Sequence, residues 1–260
     1  MVLDEIIAHK REEVAAAKVA EPLDSLRERI EGMDPPRDFR AALRRSGISL
    51  IAEIKRHSPS RGDILPDVDA VELAGLYEQA GARAISVLTD TRFFKGTLDD
   101  LHAVRRSVKV PCLRKDFTID AYQIYEARAA GADAVLLIVR ILTDTELKEF
   151  LGVAKSLGMA ALVETHSQEE IERAKLAGAA IIGINNRDLD TLAVDVNNTL
   201  TLKRFVSGGY TLVSESGINT REQVRLLEVG GVDGILVGES LLSSHDIAEK
   251  IGELLGRGEG

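Results

Sequence analysis

The sequence predicts an α/β chain folded as a (β/α)8 TIM barrel with an N-terminal helical extension, on three observations. The chain has 260 residues, and barrels of this kind typically need about 250. One helix–turn–strand junction recurs about every 50 residues: Ala80-Gly81-Ala82-Arg83-Ala84-Ile85, Ala130-Gly131-Ala132-Asp133-Ala134-Val135 and Ala177-Gly178-Ala179-Ala180-Ile181-Ile182, with Gly230-Gly231-Val232-Asp233-Gly234-Ile235 as a looser fourth. Apolar residues make up 45% of the chain and aromatics only 4%. Val, Ile, Leu and Ala must therefore fill the core, which suits parallel strands covered by helices.

The elements follow in order. Residues 1–47 read as helices, with Leu3, Ile6, Ile7 and Val14 on one face, a break at Pro35-Pro36, and Phe39, Ala42 and Leu43 resuming the pattern. Such an extension either packs over one barrel end or helps to close a pocket, and both readings stay open. Strands are expected near 49–54, 84–88, 110–114, 134–138, 160–164, 180–184, 211–214 and 234–237. Helices are expected at about 69–80, 97–107, 120–130, 144–157, 167–177, 197–206, 219–229 and 244–255. At each junction a glycine ends a helix in a left-handed cap before a β-rich run. Ser167 with Glu170 makes a capping box, and Asn219-Thr220 opens the following helix. Strict βα alternation implies a parallel sheet, and eight units imply closure. The expected organisation is a single domain over 1–260, with the extension (1–47) packed on eight βα units (48–260).

Bulk properties exclude several classes. A net charge of −9 argues against broad binding to nucleic-acid phosphates, while leaving room for a small anionic ligand. Cys112 is the only cysteine, so neither an intrachain disulfide nor a cysteine-held metal is expected. Nor do the five histidines (9, 57, 102, 166 and 245) show metal-ligand spacing; His166 reads as a helix-start residue. Asp4, Glu5, Lys10 and Arg11 are unlike the start of a signal peptide, and the apolar run Ala134–Val139 is too short to span a bilayer. A cytoplasmic location without a membrane partner is expected.

Four strand-like segments end in ionisable groups: Glu53, Lys115, Glu164 and Glu215, on strands 1, 3, 5 and 7. Inward side chains of such a barrel come in layers of four from alternate strands, so these four converge at its mouth. One such residue alone would read as a solvated strand end; agreement across four alternating strands points to a site. Lys55, two residues past Glu53, points the same way. Asn185 ends strand 6 and serves equally as a turn residue, and Arg187 could hold an anion or cap a helix. Ser214-Glu215-Ser216-Gly217-Ile218 and Val237-Gly238-Glu239-Ser240 place small residues after the last two strands, where barrels often bind phosphate. The loops Arg56–Gly62 and Thr89–Gly96 are polar, and Phe93-Phe94 would meet either an aromatic ligand or the N-terminal helices.

The segments IAEIKRHSPSRG, LTDTRFFKG, LRKDF, LVETH, IGINNRDL, SESGI and LVGESL, in that order, closely resemble the indole-3-glycerol phosphate synthase family of tryptophan biosynthesis. The likeness covers essentially the whole chain, and His57 stands where many members carry another residue. The resemblance implies ring closure of 1-(2-carboxyphenylamino)-1-deoxyribulose 5-phosphate to indole-3-glycerol phosphate, with loss of CO2 and water. It maps the family's catalytic lysine and glutamate onto Lys115 and Glu164. Substrate contacts map onto Glu53, Lys55, Ser58, Phe94, Asn185, Arg187, Glu215 and Ser216, with phosphate contacts at Gly217, Gly238 and Glu239. No metal or organic cofactor is implied; the partner is a small phosphorylated substrate, and any protein partners would be other tryptophan-pathway enzymes. The expected chemistry has Lys115 as the acid for ring closure and Glu164 as a base or as the group positioning Lys115. Lys55, oriented by Glu53, is then a substrate contact or the acid for dehydration. Rival readings are a Schiff-base aldolase using Lys115 or Lys55, the isomerase acting on phosphoribosylanthranilate, and a non-catalytic subunit of a pathway complex.

Overall fold

The computed structural model describes residues 2–188, 191 and 193–257. Leu189, the last residue of IGINNRDL, lies outside them. Eight parallel strands close into a barrel: β1 (Ser49–Ile54), β2 (Ala84–Leu88), β3 (Cys112–Lys115), β4 (Ala134–Ile138), β5 (Ala160–Thr165), β6 (Ile181–Asn185), β7 (Thr211–Glu215) and β8 (Gly234–Val237). β8 pairs back onto β1, with Ser49 opposite Gly234. β3 starts later than the sequence suggests, since Pro111 has no N–H to give to a ladder.

The two-residue alternation of each strand decides what lies inside. Ile51, Leu113, Leu162 and Val213, from the odd-numbered strands, fill the barrel together with Ala84, Ala134, Leu136, Ile181 and Leu236 from the even ones. Two residues further along the odd strands come Glu53, Lys115, Glu164 and Glu215, which form the layer above. The opposite strand faces, with Leu50, Ile85, Val135 and Ile182 among them, pack under the helices.

The helices start and stop for local reasons. Gly81, Gly131, Gly178 and Gly231 all take positive φ, between 79° and 100°, which lets the chain leave each helix and turn into the next strand. Thr220 and Gln223 form a full capping box. The one expected at Ser167 is half made. Ser167 accepts from Glu170 N, but the Glu170 carboxylate takes the His166 N–H at 2.7 Å instead of the cap's own N–H. The helix expected over 197–206 is α-helical only over Asn197–Leu202 and tightens to a 3-10 turn at Lys203–Phe205.

The extension comprises α1 (Val2–Ala20), α2 (Leu23–Ile30) and α3 (Phe39–Leu43). Phe39 and Leu43 are fully buried and join the apolar filling of the barrel. Ser49 Oγ donates to Leu43 O at 2.8 Å, and Arg40 Nε to Thr211 Oγ1 at 3.2 Å. Ser49 and Thr211 begin β1 and β7, so α3 plugs the N-terminal mouth. At the opposite rim, α1 buries Ile6 and Val14 as expected, and between them lies Lys10, with no exposed side-chain surface. Its ammonium sits 2.9 Å from each of Asp90 Oδ2, Asp116 Oδ1 and Glu13 Oε1. Asp90 and Asp116 follow β2 and β3. The extension thus reaches both ends of the barrel.

Candidate active site

A cleft of about 900 Å³ opens at the carboxyl ends of the strands, and the layer of four ionisable residues forms its floor. Lys115 Nζ lies 3.3 Å from Glu164 Oε2 and 3.7 Å from Glu215 Oε2. Lys55 Nζ donates to Glu53 Oε1 at 2.8 Å. Asn185 Nδ2 donates to the second oxygen of Glu164 at 3.0 Å, and its Oδ1 accepts from Arg187 N, also at 3.0 Å. Asn185 therefore faces the cleft and forms the turn at once.

Two glycines make room for the carboxylates. Glu164 and Glu215 flank β6 at Gly183 and Asn185 in the strand register. A Cβ on Gly183 would overlap Glu215 Oε1, and one on Gly238 would lie 2.8 Å from Glu53 Oε1 and 3.0 Å from Glu53 Cβ. Burial on this floor sets the electrostatics. Burial disfavours the Lys115 ammonium, but the charges of Glu164, Glu215 and Glu53 outweigh it and hold its pKa above the usual lysine value. Burial, the charge of Glu164 and that of Glu53 push Glu215 up to about 8, against the opposing pull of Lys115. Glu164 moves the other way: burial opposes its charge, but Lys115, His166 and the hydrogen bond from Asn185 hold its pKa below the usual glutamate value. Neither Glu215 oxygen has a hydrogen-bond partner.

The surrounding loops are built rather than loose. His57–Ser58 pairs with Gly62–Asp63 as a small hairpin. Arg56 grips Asp100 with both guanidinium ends, at 2.6 and 2.8 Å. Arg61, from the hairpin tip, pairs with Glu239, whose other oxygen lies 3.4 Å from Arg187 Nη2. Phe93 and Phe94 sit on a short helix, Thr91–Phe94, that Asp90 caps. The helix separates them: Phe94 lines the cleft with its ring 6.1 Å from that of Phe117, while Phe93 meets His9 of α1 edge-on at 5.9 Å. Packing onto the N-terminal helices, one of the two alternatives, thus holds for Phe93, while Phe94 faces the cleft. After β7, Ser216 and Gly217 both take positive φ (69° and 78°). Asn186 pins that turn: its Nδ2 donates to Ser214 Oγ and Ser216 O at 3.0 Å, and its Oδ1 accepts from Thr199.

The structure gathers nearly all of the residues singled out from the sequence. Glu53, Lys55, Phe94, Lys115, Glu164, Asn185, Arg187, Glu215, Ser216, Gly217, Gly238 and Glu239 all line the cleft. Ser58 does not; it is buried in the hairpin with its hydroxyl 3.4 Å from that of Ser60. Arg61, Asn186 and Lys10 escaped sequence reasoning. His166, read as a helix-start residue, does precede that helix, but its ring also faces Glu164 at 3.4 Å. No group of His, Cys, Asp and Glu among the described residues is arranged to hold a metal ion. No helix among them is long and apolar enough to cross a membrane.

Comparison with known proteins adds three findings. A family model described as indole-3-glycerol phosphate synthase matches residues 3–254. Proteins named indole-3-glycerol phosphate synthase from Thermoanaerobacter pseudethanolicus and Roseiflexus castenholzii are 45% and 49% identical to this chain. The first alignment covers 100% of this chain and 99% of that protein, the second 98% of each. Among solved structures, 3-hexulose-6-phosphate synthase from Salmonella typhimurium superimposes with a TM-score of 0.66 at 14% identity, over 81% of this chain and 98% of that one. That likeness is one of fold.

Proposed function

The chain belongs to the indole-3-glycerol phosphate synthase family, and from that premise we propose how its cleft carries out the family's ring closure. As a member it is a carboxy-lyase of tryptophan biosynthesis acting on a phosphorylated small molecule. The substrate is 1-(2-carboxyphenylamino)-1-deoxyribulose 5-phosphate and the products are indole-3-glycerol phosphate, CO2 and water. The observation that carries the assignment of roles is the position of Lys115, between Glu164 and Glu215 on the cleft floor.

As the ring carbon bearing the carboxylate attacks the ribulose carbonyl, the carbonyl oxygen gathers negative charge and needs a proton. Lys115 supplies it, because the neighbouring carboxylates, Glu164 foremost, keep its ammonium loaded while the cleft leaves it accessible. The ring-closed cation then expels CO2. Dehydration needs an acid at the departing hydroxyl and a base at a ring proton. Lys55, held at 2.8 Å by Glu53, is the acid. Glu164 is the base. The environments of the two floor carboxylates support this division: Glu215 is driven towards its neutral form and Glu164 towards its anion.

Phe94 and Phe117 flank the aromatic ring. The phosphate lies over the turn at Ser216-Gly217 and the backbone at Gly238-Glu239. The Glu239 side chain is occupied by Arg61 and Arg187, so its contribution is its N–H. A biosynthetic role on a small phosphorylated metabolite supports the cytoplasmic location expected from the sequence. The decisive experiment uses the absence of tryptophan from this chain. Indole fluorescence should grow against a dark protein background when the purified protein meets the carboxyphenylamino-ribulose phosphate. No growth, with substrate unconsumed, refutes the assignment.

A further inference from the structure

The reaction proposed above has a proton balance that the cleft alone does not satisfy. Decarboxylation replaces a carboxylate by hydrogen, R–COO⁻ + H⁺ → R–H + CO2, while dehydration returns the proton taken from the ring to the departing water. Each turnover therefore takes up one proton from solvent. Lys115 gives up a proton early and lies on the cleft floor, where bound substrate would stand between it and the open cleft.

Beside that floor, outside the cleft lining, runs a line of proton-bearing groups. Glu164 has one oxygen 3.3 Å from Lys115 Nζ, and the other 3.4 Å from His166 Nε2. His166 Nδ1 lies 3.2 Å from Glu170 Oε2, which also accepts from the His166 N–H and so fixes the ring's place. Nε2 is buried and makes no hydrogen bond, and Glu164 Oε1 lies 3.4 Å from it. Neither His166 nor Glu170 lines the cleft, and their side chains retain 10% and 14% exposure. The line thus begins at the floor and ends in partly exposed groups outside the cleft lining.

We propose that Glu170, His166 and Glu164 form a proton-return route that reloads Lys115 from solvent outside the cleft lining. This rests on the reaction and the role of Lys115 proposed above. Once Glu164 has returned the ring proton to Lys55, the imidazolium gives its Nε2 proton to Glu164, the Glu164 carboxyl passes a proton to the Lys115 amine, and the imidazole recovers one from solvent through Glu170. Only N–H and O–H bonds form and break, and one proton moves inward. The contacts at 3.3–3.4 Å shorten as the proton passes. The charges facing His166 are Glu164 on β5, Glu170 on the helix Gln168–Ala177 and Glu215 on β7. Burial disfavours its cation, but these partners outweigh burial and hold its pKa above the usual histidine value, so the ring is ready to give a proton near neutrality. His166 and Glu170 act through Glu164; they are positioning residues rather than catalytic ones.

The test is His166→Gln, with Glu170→Gln as a second variant one link further out, both checked by thermal melting. Lys115 starts protonated, so the first turnover of His166→Gln, followed by rapid quench, should match the parent. Steady-state kcat in dilute buffer should fall roughly tenfold, less than the ~10²–10⁴ of losing a direct acid, and added imidazole should restore it. Parent kcat should also fall at alkaline pH, where the imidazole is empty, and His166→Gln should lack that limb. Glu170→Gln should show a smaller loss, again relieved by imidazole. Unchanged kcat in His166→Gln overturns the route. So does a loss that appears equally in the first turnover and ignores imidazole, which would mark a purely structural residue. A parent protein that makes no indole-3-glycerol phosphate would instead take down the reaction itself, and the route with it.

Discussion

Two lysines in this molecule sit among three carboxylates, and only one of them belongs to the candidate site. Lys10 is bound at 2.9 Å by Asp90, Asp116 and Glu13, with no surface exposed. Lys115 has its nearest carboxylates at 3.3 and 3.7 Å and faces an open cleft. Burial works against both ammonium groups and neighbouring anions overcome it in both, so charge alone does not tell them apart. Completeness does. The Lys10 cluster is a closed knot that ties α1 to the loops after β2 and β3. The Lys115 cluster is left looser, with its ion pairs at 3.3 and 3.7 Å, neither Glu215 oxygen hydrogen-bonded, and room for another molecule. A structural ion pair closes its own geometry; a site leaves some of it for a ligand to complete.

Removing each lysine should break the comparison in opposite directions. Lys115→Ala should lower turnover by ~10²–10⁴, as expected for loss of a general acid, with little change in melting temperature. Near-parental turnover would remove Lys115 from the mechanism. Lys10→Met leaves buried carboxylates without their cation and should cost about 3–5 kcal/mol of stability, lowering the melting temperature by on the order of 10 °C. Its residual activity, measured well below the new transition, should fall far less than that of Lys115→Ala. An unchanged melting temperature would mean the knot is not what fastens α1.

The contrast also explains what was legible in the sequence. The charged floor could be read because strands have a period of two and Glu53, Lys115, Glu164 and Glu215 each end a short apolar run. The barrel could be read because one glycine-capped junction recurs through the chain. Lys10 was hidden, since a lysine within the Ile6–Val14 stripe reads as a break in the pattern, and its partners come from loops far along the chain. His166 was hidden by competition: Glu170 fits a capping box with Ser167, and only the fold reveals that its carboxylate turns back to the histidine. Phe93-Phe94 could not be divided by pattern alone, because adjacent residues on a one-turn helix point apart. The motif likeness brought Ser58 into the site, but the hairpin turns its side chain away.

Acidity should sharpen the comparison at intermediate size. Glu215 binds its proton more tightly when folded, up to about 8 against 4.5 for an ordinary glutamate. Between those values the folded chain holds a proton that the unfolded chain has lost, so this residue makes stability fall as pH rises. Glu215→Gln should therefore gain stability relative to the parent across the window from about 4.5 to about 8 and keep a constant gain above it. The Lys10 knot behaves differently. Its lysine pKa is raised and that of Asp116 lowered, so its contribution is present throughout the neutral range, fading only in strong alkali or strong acid. Urea melts of Glu215→Gln, Lys10→Met and the parent on both sides of the window separate the two. A Glu215→Gln difference that does not vary with pH would contradict the assignment of a proton to Glu215.

The smallest effect expected comes from a single methyl group. Gly183 does not take a positive φ, so alanine meets no left-handed backbone strain there; the atoms nearest to its methyl group would be those of the Glu215 carboxylate and, at 3.2 Å, Leu162 Cδ1. The carboxylate is the movable end of a side chain, so Gly183→Ala should leave the fold intact and displace Glu215 from Lys115. Misplacing a group by about 1 Å can remove up to ~10²-fold in rate, and a side chain free to adjust should lose roughly tenfold in kcat. KM should change little, because the proposed phosphate turn at Ser216-Gly217 is pinned separately by Asn186. Gly238→Ala makes the useful contrast: its methyl group meets Glu53 and also stands at the proposed phosphate backbone, so there KM should rise along with the fall in kcat. If Gly183→Ala raised KM as much as Gly238→Ala does, the floor and the phosphate turn would be one mechanical unit, and the open geometry around Lys115 would reflect loose packing instead of a place kept for substrate.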